Sequence, residues 1–316
     1  MSEQPKISPY LGLAIGILAV STASILIRYA QGEAASIVIA AYRLSIAALL
    51  LLPLAMLRHR KVLGSLTGQQ LGLGGLAGVF LAVHFATWIK SLEYTTVVSS
   101  VVLVTTTPLW VAVAAPLTLK EPITRKTALG LALALIGTVL IGLADACQLS
   151  GGDLVCPPLS DFLRQEAFLG DFLALAGAWT AAGYVIIGRR LRERLPLVPY
   201  IFIVYGMAAV VLIGFVLVSG SPASGFSTET YLWLALLAIF PQLIGHSTFN
   251  WALGYLPASF VAITLLGEPI GSSLLAFALL GEVPGAGVAI GGVLILSGII
   301  IAARPGRRQA ELQKIE

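Results

Sequence analysis

The chain has 316 residues, of which 58% are hydrophobic and only 11% are charged. A soluble domain carries roughly 25% charged residues, so this composition, with a mean hydropathy of +0.94, excludes an ordinary soluble protein and predicts an integral membrane protein. The net charge of +4 is explained by basic segments that flank membrane spans, not by nucleic-acid binding.

Ten apolar stretches predict ten membrane-spanning helices, called spans one to ten, at about 9–29, 35–57, 71–90, 96–119, 127–145, 168–188, 198–218, 231–251, 258–280 and 284–303. The first stretch is too long for a cleavable signal peptide and lacks a small-residue cleavage site, so we expect it to stay as a span.

Basic residues predict the orientation. With the N-terminus in the cytoplasm, most of the 19 Lys and Arg residues fall on the cytoplasmic side, and the exceptions are Arg28, Arg43, Lys90 and Arg164. The positive-inside rule therefore predicts a multi-pass protein of the plasma (cell inner) membrane with both termini cytoplasmic.

The second half of the chain repeats the first. Residues 94–137 align without gaps with residues 255–298, and Tyr, Pro, Glu and two Gly residues recur in the same order: Tyr94, Pro108, Glu121, Gly130 and Gly137 match Tyr255, Pro269, Glu282, Gly291 and Gly298. Because five spans are an odd number, the second half enters the membrane in the opposite direction.

The predicted fold class is therefore an all-α integral membrane protein with ten transmembrane helices in two inverted-topology five-helix repeats. The boundaries are 1–146 for the first repeat, 147–167 for an extracytoplasmic loop, 168–303 for the second repeat and 304–316 for a cytoplasmic tail. Inverted repeats are a common plan of secondary transporters, with the substrate site near the midplane; the alternative is a duplicated bundle with no transport role.

The long link between the repeats contains both cysteines of the chain, Cys147 and Cys156. In an oxidising outer compartment they could form a disulfide, and two free thiols are the alternative. Two cysteines do not make a metal site.

Glu268 is the main candidate functional residue. It lies near the middle of span nine, directly before Pro269, and Gly267 and Gly271 flank the pair. Ionisable groups inside spans are costly, so a carboxylate here is a candidate for binding a cation or carrying a proton. A protonated Glu that is hydrogen-bonded to a neighbouring helix is the alternative.

Other polar residues in the spans form a second group of candidates. Gln242, His246 and Asn250 recur every four residues in span eight and so share a helix face, which faces either a wet cavity or another helix. His84 and Trp88 have the same spacing in span three, at nearly the depth of His246 in the repeat alignment. We therefore expect both histidines to approach a central cavity, although each could also be a packing residue.

The remaining candidates are Thr107, Arg43 and Trp179. Thr107 is the counterpart of Glu268, and its hydroxyl is expected to refill the hydrogen bonding that Pro108 breaks. Arg43 in span two could pair with an acidic residue or bind a substrate carboxylate. Trp179 in span six could stack on a ligand, although packing is the simpler interpretation.

Motifs of other function classes are missing from the sequence. No Gly-Lys-Ser/Thr phosphate loop and no HExxH motif occurs, which argues against an ATP-driven pump and a membrane metalloenzyme. We predict no enzymatic activity, no cofactor and no metal.

Three segments together resemble the EamA-type permeases of the drug/metabolite transporter superfamily: AAYRLSIAALLLLP in span two, TTTPLWVAVAAPLTLKEPIT after span four begins, and LLGEPIGSSLLAFALLGEVP in span nine. The resemblance implies a basket of helices in which spans one, three, four, six, eight and nine line a central cavity. It also implies secondary transport of a small metabolite.

The resulting hypothesis is a permease for small polar metabolites, most specifically an exporter of amino acids or related compounds by alternating access. Its partners would be a small-molecule substrate and the bilayer; because the chain contains both repeats, a monomer should suffice. The alternative is a lipid-intermediate flippase or a non-transporting subunit of a membrane complex.

Overall fold

The computed structural model describes residues 7–120, 123–146, 148–150, 153–155, 166–281 and 286–303. Among them, eight helices are long and apolar enough to cross a membrane: Pro9–Ala30, Ser36–Arg58, Gly68–Ser91, Ser100–Thr118, Phe168–Arg192, Leu197–Ser219, Thr228–Ala252 and Ala258–Leu280. They correspond to spans one to four and six to nine, which confirms the predicted class of helical membrane protein.

Two further helices, Arg125–Ala146 and Ala286–Ala303, occupy the positions of the predicted fifth and tenth spans. They pack along each other. Their crossing of the membrane, and with it the count of ten, stays a prediction.

Several spans consist of shorter segments. Span one contains the helices Pro9–Ser21 and Ala23–Ala30, and span four contains Val97–Val104 and Thr107–Thr118. Span eight consists of Thr228–Leu237, the π-helix Ala238–His246 and Ser247–Ala252. Span nine consists of Ala258–Thr264, the 3₁₀-helix Leu265–Gly267 and Glu268–Leu280. The continuous helices are Ser36–Arg58, Gly68–Ser91, Glu166–Arg192 and Leu197–Ser219, and Arg60–Gly64 is a short connecting helix.

The link between the repeats contains a small antiparallel hairpin of Gln148–Ser150 and Asp153–Val155, in which Leu149 pairs with Leu154. Cys147 and Cys156 lie outside the described residues, so the disulfide stays a prediction. Glu121 and Glu282 of the repeat alignment lie outside them as well.

Prolines cause two of the breaks. Pro108 is the second residue of the second segment of span four, and Pro269 occupies the matching place in span nine. A proline lacks the N–H that would bond to the carbonyl four residues earlier. Spans four and nine also end in the same way. Lys120 (φ 57°) and its aligned counterpart Gly281 (φ 72°) both adopt the left-handed conformation, which commonly terminates helices.

The main helix contacts cross from one half to the other. Span six packs on span three, span seven on spans two and three, and span one on spans eight and nine. Glycines allow some of these approaches: a Cβ on Gly78 of span three would lie 2.6 Å from Met207 Cβ and 2.8 Å from the Val204 carbonyl oxygen of span seven. The two halves therefore share one interleaved core.

A polar contact outside the spans also joins the halves. The Ser227 backbone N–H donates to Glu33 Oε2 at 2.7 Å. This backbone hydrogen bond holds the pKa of the exposed Glu33 below its ordinary value. The contact ties the link between spans one and two to the first residue before span eight.

Gly78→Ala should destabilise the protein by about 1–3 kcal/mol, because the added methyl group overlaps the backbone of span seven. Gly72→Ala is the matched control in the same helix, since a Cβ there meets no heavy atom within 4 Å. Thermal unfolding of both purified variants tests the contact; equal unfolding temperatures would contradict it.

Candidate functional site

A cavity with several polar groups in a mostly apolar lining lies between helices of both repeats. Its lining comes from spans three, four, six, eight and nine: His84, Trp88, Val104, Thr105, Thr107, Ala181, Tyr184, Val185, His246, Phe249, Asn250, Leu253, Val261, Leu265 and Glu268. Span one, which the family resemblance placed on the cavity, supplies no residue to this lining. It packs behind span nine instead.

The close approach of span one explains this difference. A Cβ on Gly271 would overlap the Ser21 side chain, and Ser272 Oγ donates to the Ser21 carbonyl oxygen at 3.2 Å. Gly271 therefore admits a neighbouring helix, not a ligand. Span one supports the broken part of span nine from the side away from the cavity.

Glu268 stands at the break in span nine. Its backbone N–H donates to the Leu265 carbonyl in a 3₁₀ turn, and this is the carbonyl that Pro269 leaves without its usual helical donor. The backbone is thus satisfied locally. The side chain is 8% exposed and faces the cavity, where a carboxylate can meet a cation or a proton.

His84 is held in a fixed orientation. Its Nδ1 lies 3.0 Å from the Gly177 carbonyl oxygen of span six, and because a carbonyl only accepts, Nδ1 carries the hydrogen. The ring stacks on Trp88 with centroids 5.9 Å apart and planes at 15°. Nε2 is left as the nitrogen available to bind a ligand or proton.

The second histidine lies beside the first. The ring centroids of His84 and His246 are 6.3 Å apart, and His246 also contacts Phe85, Tyr184 and Phe249. The structure therefore brings both predicted histidines to one wall of the cavity, with aromatic rings around them.

The polar stripe of span eight serves two purposes. His246 and Asn250 line the cavity, whereas Gln242 is fully buried and its Oε1 accepts from Arg43 Nε at 2.8 Å. Asn250 Nδ2 donates to the hydroxyls of Tyr184 and Tyr205. The helix–helix contact and the cavity, which the sequence left as alternatives, both occur along one face.

Of the three remaining predicted residues, Thr107 lines the cavity and Trp179 and Arg43 do not. Thr107 lines the cavity, and its hydroxyl donates at 2.8 Å to the Val104 carbonyl, the acceptor that Pro108 leaves without a donor. Trp179 is 42% exposed, packs edge-to-face on Trp110, and is not part of the lining. Arg43 is fully buried outside the lining.

Sequence reasoning missed Phe85, Tyr205 and Arg192. Tyr205 is a polar group inside span seven and Arg192 is the last residue of span six, and this signal could have identified them. Arg192 Nε donates to the Asn250 carbonyl at 2.9 Å, and Arg189 Nη1 donates to the Leu253 carbonyl at the same distance. The two arginines stabilise the end of span eight that borders the cavity.

Two repeats around a shared cavity are an architecture typical of membrane transporters. The model of the EamA-like transporter family matches residues 7–143 and 168–304. The chain therefore belongs to the EamA-like transporter family.

Two relatives agree with this assignment, and a solved structure shares the fold. An uncharacterized transporter of Archaeoglobus fulgidus is 27% identical over 297 residues, covering 92% of this chain and 96% of that protein. The uncharacterized transporter YyaM of Bacillus subtilis is 28% identical over 244 residues, covering 73% and 72%. A crystal structure with a TM-score of 0.72 and 19% identity covers 96% of this chain and 98% of its own, and it shows the same fold.

Thr107→Val should lower stability by about 1 kcal/mol, because the Val104 carbonyl loses the hydroxyl that bonds to it. Thr107→Ser keeps the hydroxyl and should remain close to wild type. Thermal unfolding measures the effect. A loss of substrate affinity without any loss of stability would instead assign Thr107 to ligand binding.

Proposed function

We propose that the protein is a secondary active transporter for small polar metabolites, and that it exports amino acids or related compounds by alternating access. One observation carries the proposal: the cavity is lined by two spans of the first repeat and three of the second, so relative movement of the repeats changes its shape and access. Broken helices at a repeat interface are typical of transporter substrate sites.

The chemistry of the lining supports a polar substrate. Glu268 supplies the carboxylate, His84 and His246 supply imidazoles, Asn250 supplies an amide, and Trp88 adds an aromatic ring. A substrate ammonium group would meet Glu268, while the aromatic rings would contact its carbon side chain. Amino acids, amines and nucleobases all match this lining.

The size of the cavity supports a moving bundle. Its volume is about 50 Å³, whereas pockets that hold drug-sized ligands have roughly 300–1,000 Å³. A substrate of amino-acid size requires the helices to separate. The described conformation therefore represents a contracted state of the proposed transport cycle.

The cavity also contains groups that can carry protons. A carboxylate at membrane depth is a typical proton carrier, and an imidazole nitrogen can accept or donate a proton. We propose that Glu268, with His84 and His246 beside it, couples substrate movement to a proton gradient. Net transport would then require a neutralised or substrate-bound Glu268 during the return step.

Counterflow in proteoliposomes tests the function. Vesicles with purified protein are loaded with one unlabelled amino acid, amine or nucleobase, and uptake of the same radiolabelled compound is followed with and without a pH gradient. We expect exchange for at least one amino acid. Folded protein that exchanges none of the compounds would contradict the proposal and favour a lipid flippase or a subunit of a complex.

Glu268→Gln should reduce gradient-driven accumulation at least tenfold, because an amide cannot carry the proton. Counterflow exchange, which needs no net proton movement, should be reduced less. Glu229→Gln, which removes an exposed carboxylate in the first turn of span eight, is the matched control. Wild-type accumulation by Glu268→Gln across pH would exclude proton coupling through this residue.

A further inference from the structure

Arg43 is a buried cation that has no role in the transport mechanism proposed above. It lies in span two with no exposed surface. Its Nε donates to Gln242 Oε1 at 2.8 Å, and its Cζ lies 4.1 Å from the centroid of the Phe85 ring. One hydrogen bond and one aromatic face therefore fix the plane and direction of the guanidinium group.

The two terminal nitrogen atoms of this guanidinium group are hydrogen-bond donors without acceptors in the part of the chain that the structure describes. Arg43 Nη1 and Nη2 are buried and have no hydrogen-bond partner among the described residues, and the same is true of Gln242 Nε2. Arginine can only donate, so the oxygen of the Gln242 amide must face Nε and the NH₂ group must point elsewhere. The two Nη atoms of Arg43 and Nε2 of its neighbour Gln242 are thus all donors.

A buried guanidinium in a membrane protein normally has an anionic partner, because an unpaired ion is costly there. The described residues place no carboxylate within ion-pair distance of Arg43. Glu268 interacts with it electrostatically but lines the cavity. A rigid, planar pair of Nη atoms is the donor geometry that binds a carboxylate with two hydrogen bonds.

The unpaired donors of Arg43 and Gln242 lie next to the cavity, and aromatic side chains separate them from it. Phe85, which stacks on Arg43, contacts the His246 ring at 5.2 Å between centroids, and His246 lines the cavity. Gln242 and His246 belong to one π-helical segment, Ala238–His246. Such segments occur often at functional sites, and a shift of this segment would move both side chains together.

We propose that Arg43 Nη1 and Nη2, together with Gln242 Nε2, form a carboxylate-binding subsite, and that the transported substrate must carry a free carboxylate. The inference rests on the proposed function and narrows it. A zwitterionic substrate would place its carboxylate on Arg43 and its ammonium group towards Glu268. Amines and nucleobases, which lack a carboxylate, would be poor substrates.

Binding of a simple carboxylate tests the subsite without any transport. Thermal unfolding of the purified protein is followed while sodium acetate replaces sodium chloride at constant ionic strength, with acetamide as the neutral analogue. Acetate should raise the unfolding temperature of wild type saturably, and acetamide should not. Acetate should have no such effect on Arg43→Gln.

Two further variants test the same subsite if Arg43→Gln does not fold. Gln242→Glu places a carboxylate beside Arg43, so this variant should unfold at a higher temperature than wild type and no longer respond to acetate. Arg28→Gln, which removes a cation that binds the Thr95 carbonyl away from the subsite, should respond like wild type. An undiminished acetate response in Gln242→Glu or Arg43→Gln, or none in wild type, would overturn the proposal.

Competition in the counterflow assay tests the role in transport. An exchanged amino acid is compared with its methyl ester and its decarboxylated amine, which we expect to compete roughly 10- to 100-fold less well. Arg43→Gln should remove this preference, and Arg43→Lys should retain part of it. Equal competition by all three compounds in wild type, or an equal loss for all three in Arg43→Gln, would contradict a carboxylate subsite.

The two experiments separate the possible failures. If folded wild type exchanges no compound, the proposed function is wrong, and the acetate response still decides whether the subsite exists. If exchange occurs without any preference for a carboxylate, the proposed function stands and the subsite inference fails.

Discussion

The bilayer offers the protein backbone no hydrogen-bond partners, so a spanning helix can break only where the protein itself supplies them. Spans four and nine break at aligned prolines, and the candidate site lies between these breaks. Each half satisfies the freed carbonyl differently. The Thr107 hydroxyl binds the Val104 carbonyl in span four, whereas the Glu268 backbone N–H binds the Leu265 carbonyl in span nine. This difference gives the pseudo-symmetric site its asymmetry.

The breaks determine which side chains are free to act. In the first half, the Thr107 hydroxyl is engaged with the backbone and contributes structure. In the second half, the backbone is satisfied without any side chain, so the Glu268 carboxylate faces the cavity. Span one packs against this break through Ser21 and Ser272, which holds the carboxylate in place without lining the cavity. Span one thus supports the break, whereas span nine supplies the carboxylate that faces the cavity.

Much of the fold and part of the site could be predicted from the sequence. Long apolar stretches predicted the spans, and Pro108 predicted the break in the hydrogen bonding of span four. Glu268, His84, Trp88, His246, Asn250 and Thr107 do line the cavity, because polar groups in spans avoid lipid. Trp179 does not, since an aromatic residue is equally stable against lipid and neighbouring rings, and its position in a span carries no information about direction.

The sequence by itself determined the membrane class, the repeated halves and the candidate polar residues, because hydropathy and repetition are properties of the chain alone. Only the tertiary structure decided how these residues are partnered. In the tertiary structure, Arg43 bonds to Gln242, which is far away in the chain, and contacts the Phe85 ring. Span one packs against span nine on the side away from the cavity. Such contacts depend on how helices of different halves pack, and a linear pattern does not specify that packing.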